Sequence, residues 1–328
     1  MSYLWRRLAL YSVAAWTVIS LNFLIPRLMP GDPASALFAR FKGKLKPEAM
    51  DALKQSLGLT DEPLWAQYLD YLGMLSRGEF GVSIAYHPTP VLDVMSTGFI
   101  WTIGLSGVAV VISFIVGTFL GAMAAWRQGG RYDAIVPAAV AFLGAFPYFW
   151  MAMILLFVFG LQFEWFPLGM AYGPYVAPGW NVEFAYDVVS HAFLPCITIV
   201  FASLGGWLFV MRNTMIGMMG SEYVCLAHAK GLPRPRILLA YAMRNALLPS
   251  LTSFGMALGF IVSGALLTEV VFSYPGQGYL LVKAVLAQDF PLMQGLFLVI
   301  TLSVLIANLL VDILYWFLDP RTREGATQ

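Results

Sequence analysis

Six long apolar stretches constrain what this 328-residue chain can fold into. A helix needs about 20 mostly apolar residues to cross the hydrocarbon core of a bilayer. Stretches of that kind lie near residues 8–28, 99–125, 134–161, 191–211, 251–273 and 291–318. Only 11% of the residues are charged and 59% are hydrophobic, whereas a typical soluble domain has about 25% charged residues. The sequence therefore predicts an all-α integral membrane protein with six transmembrane helices.

The first stretch also has the features of a secretory signal peptide. Arg6 and Arg7 precede it, and the small residues Ala34-Ser35-Ala36 follow it. However, its apolar run exceeds the roughly 7 to 15 residues of a signal peptide's apolar core. Pro30-Gly31-Asp32-Pro33 also separates the run from the small residues. We therefore expect residues 1–29 to form the first transmembrane helix.

The positions of lysine and arginine predict the orientation of the six helices. Short cytoplasmic loops carry an excess of these residues. Most of them fall on one predicted side, namely Arg6, Arg7, Arg127, Arg131, Arg212, Lys230, Arg234, Arg236, Arg244, Arg321 and Arg323. The link over 162–190 has no basic residue. We expect both termini to be cytoplasmic. The basic residues of segment 30–98 would lie on the other side and conflict with this pattern, but loops beyond about 60 residues translocate largely regardless of charge, so the orientation is kept.

The six apolar stretches and their predicted orientation divide the chain into four parts. An extracytoplasmic insertion over residues 30–98 is expected between the first two transmembrane helices. It is predicted to fold as a small cap, with short helices near 47–58 and from Leu64 to Leu75. A membrane core follows over 99–318, with a patterned loop at 212–249, and a cytoplasmic tail occupies 319–328.

The motifs of an enzyme do not occur in this sequence. A phosphate-binding Gly-x-x-x-x-Gly-Lys-Ser/Thr motif is missing, and Gly276-Gln277-Gly278 is interpreted as a turn. The three histidines, His87, His191 and His228, are far apart and lack metal-ligand spacing. The net charge of +1 gives no reason to expect nucleic acid as a partner. We expect no catalytic residue, no metal and no cofactor in this chain.

The loop at 212–249 carries the most specific local pattern. Ser221 is a candidate N-cap, and Glu222 supplies a carboxylate at the positive end of a helix. Lys230 falls in the last turn, and Gly231 suits the left-handed position after a helix. The pattern predicts a short helix over 222–230 and a second helix from about 236 to Leu248. From these residues alone, the short helix is expected either to fit a groove on another protein or to lie on the membrane surface.

The sequence of this loop resembles the EAA loop of ABC importer permeases, in the B-type branch of the dipeptide/oligopeptide/nickel family. The resemblance rests on Glu222-Tyr223-Val224-Cys225-Leu226-Ala227-His228-Ala229-Lys230-Gly231-Leu232 and Arg244-Asn245-Ala246-Leu247-Leu248-Pro249. Further similar stretches are Phe23 to Pro33, Pro63-Leu64-Trp65, Phe146-Pro147-Tyr148-Phe149-Trp150, Val271-Phe272-Ser273-Tyr274-Pro275-Gly276, Asp289-Phe290-Pro291 and Asp312 to Arg321. Cys225, Leu226 and His228 depart from the usual residues of the motif.

The resemblance implies a type I ABC importer permease fold and a transport subunit that is not itself an enzyme. Its partners would be a second homologous permease, two ATP-binding subunits, an extracytoplasmic solute-binding protein and membrane lipid. It would reside in the inner membrane of a bacterial or archaeal cell. The short helix would be a coupling helix, inserted in a cleft of an ATP-binding subunit. The contact residues implied are Glu222, Tyr223, Ala227, Lys230, Gly231 and Leu232.

The translocation pathway is expected between this chain and the second permease. Asn22, Gln294 and Asn308 are polar residues at span depth, and they are predicted either to line the pathway or to form hydrogen bonds between helices. Two sets of small residues recur every four positions, so each predicts a face that another helix can approach closely. These sets are Ser113, Gly117 and Gly121, and Gly255, Gly259 and Ser263.

The substrate expected from the resemblance is a peptide. Oligosaccharides and metal complexes are the alternatives for the same machinery. Aromatic residues in the outer link suit either sugar stacking or an interfacial belt; they are Tyr172, Tyr175, Trp180, Phe184 and Tyr186. An ion-coupled transporter or a receptor without an ATPase is the alternative of a different class, although such carriers usually have internal repeats and broken helices.

Overall fold

The computed structural model describes residues 2–28, 62–261 and 266–318, and these residues are mainly helical. The helices are α1 (Ser2–Leu28), α2 (Leu64–Ser76), α3 (Val91–Trp126), α4 (Arg131–Gly144), α5 (Tyr148–Leu155), α6 (Val182–Met219), α7 (Glu222–Ala229), α8 (Arg234–Arg236), α9 (Arg244–Phe260), α10 (Leu266–Val271), α11 (Gln277–Leu286) and α12 (Phe290–Leu318). Two π-helical segments, Leu156–Gln162 and Ile237–Met243, continue α5 and join α8 to α9. The predicted all-α class is confirmed for this part of the chain.

Four helices of the described ranges are long and apolar enough to cross a membrane, namely α1, α3, α6 and α12. A fifth span results if α4 and α5 with its π-helical continuation are counted together. The predicted span over 251–273 includes residues 262–265, which lie outside the described residues. The predicted count of six therefore stays a prediction, as does the predicted helix near 47–58, which also falls outside these ranges.

The third predicted span, over 134–161, is not one continuous helix. α4 ends at Gly144, α5 begins at Tyr148, and the two are bent by 93°. Pro147 accounts for the break, because proline lacks the N–H that a continuing helix needs and disfavours a helical conformation at the residue before it. The backbone of Pro147 is accordingly non-helical, with φ −54° and ψ 130°.

Several helix boundaries also differ from the sequence-based expectation. α3 begins at Val91, so the last residues of the predicted insertion over 30–98 belong to a long apolar helix. α9 continues through Pro249, where the second loop helix was predicted to end. Gln277 begins α11, so Gly276-Gln277-Gly278 starts a helix and is not the predicted turn. The predicted helix from Leu64 to Leu75 is confirmed as α2.

The chain divides into two compact units, of which the first comprises residues 1–101 and 275–328. In this unit α1 packs along α12 in antiparallel fashion. Near one end, Arg7 forms an ion pair with Asp312 (3.2 Å), and the Tyr11 hydroxyl donates to the same carboxylate (2.8 Å). Toward the other end, Asn22 Nδ2 donates to the Gln294 carbonyl oxygen (2.7 Å). These polar contacts fix the register of the two helices.

The second unit comprises residues 102–274, and its helices pack around α6. A Cβ added at Gly117 of α3 would lie 2.6 Å from the Cβ of Trp207 in α6, so the two helices meet closely at this glycine. Trp207 Nε1 donates to Ser113 Oγ one turn away (3.1 Å). The predicted small-residue face of the second span is therefore used for packing within this chain. Gly255 has no neighbour within 4 Å of an added Cβ, and Ser263 lies outside the described residues.

Candidate functional site

The short helix predicted in the 212–249 loop forms as α7, from Glu222 to Ala229. Ser221 occupies the N-cap position with an extended backbone, but its side chain does not cap the helix. Instead, Ser221 Oγ donates to the Met218 carbonyl oxygen at the end of α6 (2.6 Å). The predicted capping role of this hydroxyl is therefore wrong, because the preceding helix end offers it an acceptor. Glu222 remains in the first turn, where its charge complements the helix dipole.

The end of α7 has the geometry that the sequence predicts. Gly231 has φ +66°, the left-handed conformation that favours glycine. Its N–H donates to the His228 carbonyl (3.0 Å), and the Leu232 N–H donates to the Ala227 carbonyl (3.3 Å). These two bonds form a Schellman motif, which satisfies carbonyl groups at the helix end. The helix therefore has a defined length of eight residues.

The inner face of α7 is seated on an apolar cluster of the second unit. Val224 is fully buried and Ala227 is 2% exposed. They pack among buried residues from α3, α6, the second π-helical segment and α9, namely Ala122, Ala125, Met211, Met215, Ile237, Ala242 and Ala246. We refer to this set, with Val224 and Ala227, as the loop cluster. α7 therefore shares one buried core with the two long helices α6 and α9.

The outer face of α7 is exposed. Leu226 is 56% exposed and Tyr223 is 37% exposed, and Glu222 and Lys230 are also exposed. The Tyr223 hydroxyl hydrogen-bonds to the Met218 sulfur (3.1 Å), which orients its ring. This face combines two large apolar side chains with charges of both signs at the two helix ends. Such a composition suits a protein groove better than bulk water.

Burial changes the predicted contact set in three ways. Ala227 was predicted as a contact residue, but it is only 2% exposed within this chain and so offers almost no surface to a partner. Leu232 is half-buried against the loop cluster, so it offers only part of its surface. Leu226 was treated as a departure from the motif, yet it is the most exposed large apolar residue of α7. Sequence periodicity could not identify the outer face, because apolar residues occur on both faces of this helix.

A bidentate ion pair lies beside this segment. Arg212 in α6 donates to Asp133 in α4 through Nε to Oδ1 (2.6 Å) and through NH2 to Oδ2 (3.0 Å). The Gly129 N–H also donates to Asp133 Oδ2 (3.1 Å). The Asp133 side chain is only 9% exposed. This pair fixes the link between α3 and α4 to the same end of α6 from which α7 follows.

The predicted pathway residues of the first unit are found in contacts between helices. Asn22 is buried and donates to the Tyr71 hydroxyl (3.2 Å) as well as to the Gln294 carbonyl. Gln294 Nε2 donates in return to the Asn22 carbonyl (3.2 Å). For these two residues the structure has the interhelical hydrogen bonds that the sequence left as the alternative. Asn308 is half-buried on α12.

No group of three or more His, Cys, Asp or Glu side chains could hold a metal within the described ranges. His191 lies against Asp187 of its own helix, with 3.5 Å between Nδ1 and Oδ1. His228 is on the exposed surface of α7. These two histidines are therefore accounted for by a local contact and by exposure on a helix surface.

Comparison with known proteins adds an independent observation. Residues 117–324 match the family described as binding-protein-dependent transport system inner membrane component. The chain is 33% identical to the di/tripeptide transport system permease protein DppB of Pseudomonas aeruginosa, over 99% of each chain. It is 30% identical to the dipeptide transport system permease protein DppB of Escherichia coli, again over 99% of each. It is 33% identical to the oligopeptide transport system permease protein OppB of Haemophilus influenzae, over 98% of this chain and 99% of that protein.

Proposed function

Because the chain belongs to the family of binding-protein-dependent transport system inner membrane components, we propose that it is the permease subunit of an ATP-driven peptide importer. The observation that carries this proposal is similarity over almost the full length to permeases that are named for di- and tripeptide, dipeptide and oligopeptide transport. In this proposal the chain forms half of a translocation pathway. It crosses the membrane six times and has both termini in the cytoplasm.

The coupling step uses the outer face of α7. Leu226 and Tyr223 enter a cleft of a cytoplasmic ATP-binding subunit, and Glu222 and Lys230 make polar contacts at its rim. When the cleft closes on ATP, the rigid α7 moves with it. The loop cluster then carries that motion into α6 and α9. The support for this step is the contrast between the buried inner face and the exposed outer face of one short, well-terminated helix.

The Arg212–Asp133 ion pair takes part in the same coupling step. It holds the α3–α4 link against the end of α6, so α4 follows α6 when α7 moves. Charge-assisted bidentate pairs are among the stronger polar contacts in proteins. The ion pair therefore transmits the motion of α6 to α4 and keeps the α3–α4 link in place.

The partners in this proposal are a second homologous permease, two ATP-binding subunits and an extracytoplasmic solute-binding protein. ATP hydrolysis occurs in the ATP-binding subunits, and this chain has no catalytic residue and needs no cofactor. Asn22 and Gln294 act in this scheme as a structural link between the first and last spans. Asn308 is the one predicted pathway residue for which we retain that role.

The experiment that tests this function is uptake by proteoliposomes that contain the assembled transporter, with ATP inside and the cognate binding protein outside. We expect uptake of a labelled dipeptide that requires both ATP and the binding protein. Unlabelled peptides should compete, whereas an oligosaccharide or a nickel complex should not. Competition by the oligosaccharide or the nickel complex alone would reassign the substrate. Uptake by this chain alone, driven by an ion gradient, would refute the ATP-driven scheme.

A further inference from the structure

Helix α2, in the predicted outer insertion, is attached directly to the first span. The Tyr68 hydroxyl and Ser20 Oγ are 2.7 Å apart, and Asn22 Nδ2 donates to the Tyr71 hydroxyl (3.2 Å). Both tyrosine rings also pack on Phe23, with centroid distances of 5.1 and 5.5 Å. Because Tyr68 and Tyr71 are three residues apart, they share one face of α2. That face is held against α1.

The position of these contacts along α1 gives the depth of α2. Asn22 follows Arg7 by fifteen residues, which is about 22 Å of helix rise. Arg7 and its partner Asp312 form a charged pair at one end of the span. The hydrocarbon core is about 30 Å thick. Measured from Arg7, the contacts with Tyr68 and Tyr71 therefore lie within about 8 Å of the opposite boundary of the hydrocarbon core, so α2 meets α1 close to the membrane interface.

The remaining surface of α2 has two chemically different flanks. Trp65 is 68% exposed and Leu69 is 58% exposed, and a spacing of four residues puts them about 40° apart around the helix. Asp70 is also exposed, but it lies about 140° from Trp65 around the helix. One flank is thus apolar and carries a tryptophan, and the other carries a carboxylate.

We propose that α2 lies in the membrane interface, with Trp65 and Leu69 in contact with lipid and Asp70 directed to the headgroups and water. Tryptophan and tyrosine are enriched at this level of the bilayer, because their rings are apolar and each bears one polar group. An amphipathic helix with this distribution buries its apolar flank at the boundary between headgroups and acyl chains. α2 is therefore an interfacial helix and not part of a water-exposed cap.

Lipid is favoured over a protein partner by continuity with the surface of α1. Few residues of the apolar stretch Arg7–Ile25 of α1 are buried, and Leu21, Leu24 and Ile25 beside the α2 contacts are 49%, 39% and 50% exposed. These side chains belong to a membrane span, where the surrounding solvent is lipid. The inference does not depend on the substrate or on coupling to ATP.

Spin labels can test this placement. The full-length chain, with the subunits that copurify with it, is prepared in bilayer nanodiscs after Cys196 and Cys225 are replaced by alanine. Single cysteines are introduced by Trp65→Cys and Leu69→Cys, with Asp70→Cys as the matched control on the same helix and Ile25→Cys as the span reference. The accessibility of each nitroxide to oxygen, which concentrates in lipid, is compared with its accessibility to a water-soluble nickel chelate.

We expect the ratio of oxygen to nickel accessibility at Trp65→Cys and Leu69→Cys to be severalfold higher than at Asp70→Cys and to approach the value at Ile25→Cys. High nickel accessibility at both positions would mean that α2 is in water, and it would overturn the proposal. Low accessibility to both reagents would mean that another polypeptide covers the flank, and it would overturn the proposal equally. If Trp65→Cys does not insert, Leu69→Cys alone decides the question, because this exposed leucine can be replaced without disturbing the tyrosine contacts.

Discussion

At the scale of single residues, Leu226 is the strongest candidate for contact with a partner. Its side chain is 56% exposed on α7. A polar residue at this exposed position should therefore leave the fold of the chain intact. We expect Leu226→Asp to lower the affinity for the ATP-binding subunit by at least about tenfold, or about 1.4 kcal/mol, because a charge would have to be desolvated in the cleft. The measurement is the amount of ATP-binding subunit that copurifies with the variant.

Leu286 offers the matched control for that experiment. It is 81% exposed on α11, on the opposite side of the membrane in the expected topology. Leu286→Asp should copurify the ATP-binding subunit as the unmodified protein does. Equal losses for the two variants would indicate a general defect in insertion, and equal retention would exclude Leu226 from the contact.

Ala227 and Ala229 provide a second residue-scale prediction, since they lie on opposite faces of the same helix. Ala227 is 2% exposed within the loop cluster, whereas Ala229 is exposed. Ala227→Leu should destabilise the packing of α7 on the loop cluster by about 1–3 kcal/mol, because it overpacks a buried site. Ala229→Leu should leave it intact. Hydrogen exchange of the α7 amides should rise only for Ala227→Leu, and a reversed order would refute the assignment of the inner face.

The Arg212–Asp133 pair permits a double-mutant cycle. Asp133→Asn leaves a partly buried guanidinium without its anion, and Arg212→Gln leaves the carboxylate without its cation. We expect each single variant to lower the thermal unfolding midpoint in detergent. The double variant should lose less than the sum of the two, with a coupling energy of about 0.5–3 kcal/mol. Strict additivity would mean that the two side chains do not act together.

At the scale of elements, the Schellman motif that ends α7 can be tested by substitution of Gly231. Gly231 has φ +66° and no neighbour within 4 Å of an added Cβ, so a substitution acts through backbone conformation and not through a clash. Gly231→Val should disfavour the Schellman end by about 1–2 kcal/mol. We expect it to reduce peptide uptake while the chain still inserts and the ATP-binding subunits still hydrolyse ATP.

Gly231→Asn separates backbone strain from loss of the glycine itself. Asparagine tolerates the left-handed conformation better than other residues with a side chain, so this variant should retain most of the uptake. If Gly231→Asn is as defective as Gly231→Val, the left-handed conformation is not what matters. If both transport normally, the defined end of α7 is not needed for coupling.

Some features of these helices could be predicted from the sequence, and others could not. α7, its bounds and its left-handed glycine were predictable, because local signals at Glu222, Lys230 and Gly231 determine them. The burial of Ala227 was not, because Val224, Leu226 and Ala227 are all apolar and only tertiary packing decides which of them face inward. The two π-helical segments were likewise not predicted, since apolar spacing does not distinguish them from α-helix.

The break between α4 and α5 has a different origin. Residues 134–161 are apolar enough for one span, and hydrophobicity alone predicts a straight helix. Pro147 carried the signal for a bend, because proline cannot continue a helix through its missing N–H. Proline alone did not settle the matter, however, since Pro137, Pro195 and Pro249 occur inside helices of this same chain. The difference lies in the backbone, because Pro147 has an extended ψ of 130°, whereas the other three prolines continue their helices.

At the scale of the whole molecule, the proposed function requires that movement of one short helix be passed to long ones. α7 shares the loop cluster with α3, α6, the second π-helical segment and α9, and Arg212 joins α6 to α4. The residues that face away from this core have no role in its packing. In the proposed function these residues contact an ATP-binding subunit, because the sequence of this chain has no phosphate-binding Gly-x-x-x-x-Gly-Lys-Ser/Thr motif.

Photo-crosslinking from position 226 in the assembled transporter tests this claim most directly. A photoreactive amino acid replaces Leu226, and the adducts formed in native membranes are identified by mass spectrometry. The account predicts adducts with an ATP-binding subunit, which should be lost when the crosslinker is moved to position 286. Adducts with lipid alone, or none with any nucleotide-hydrolysing protein, would contradict the proposal that α7 couples this chain to ATP.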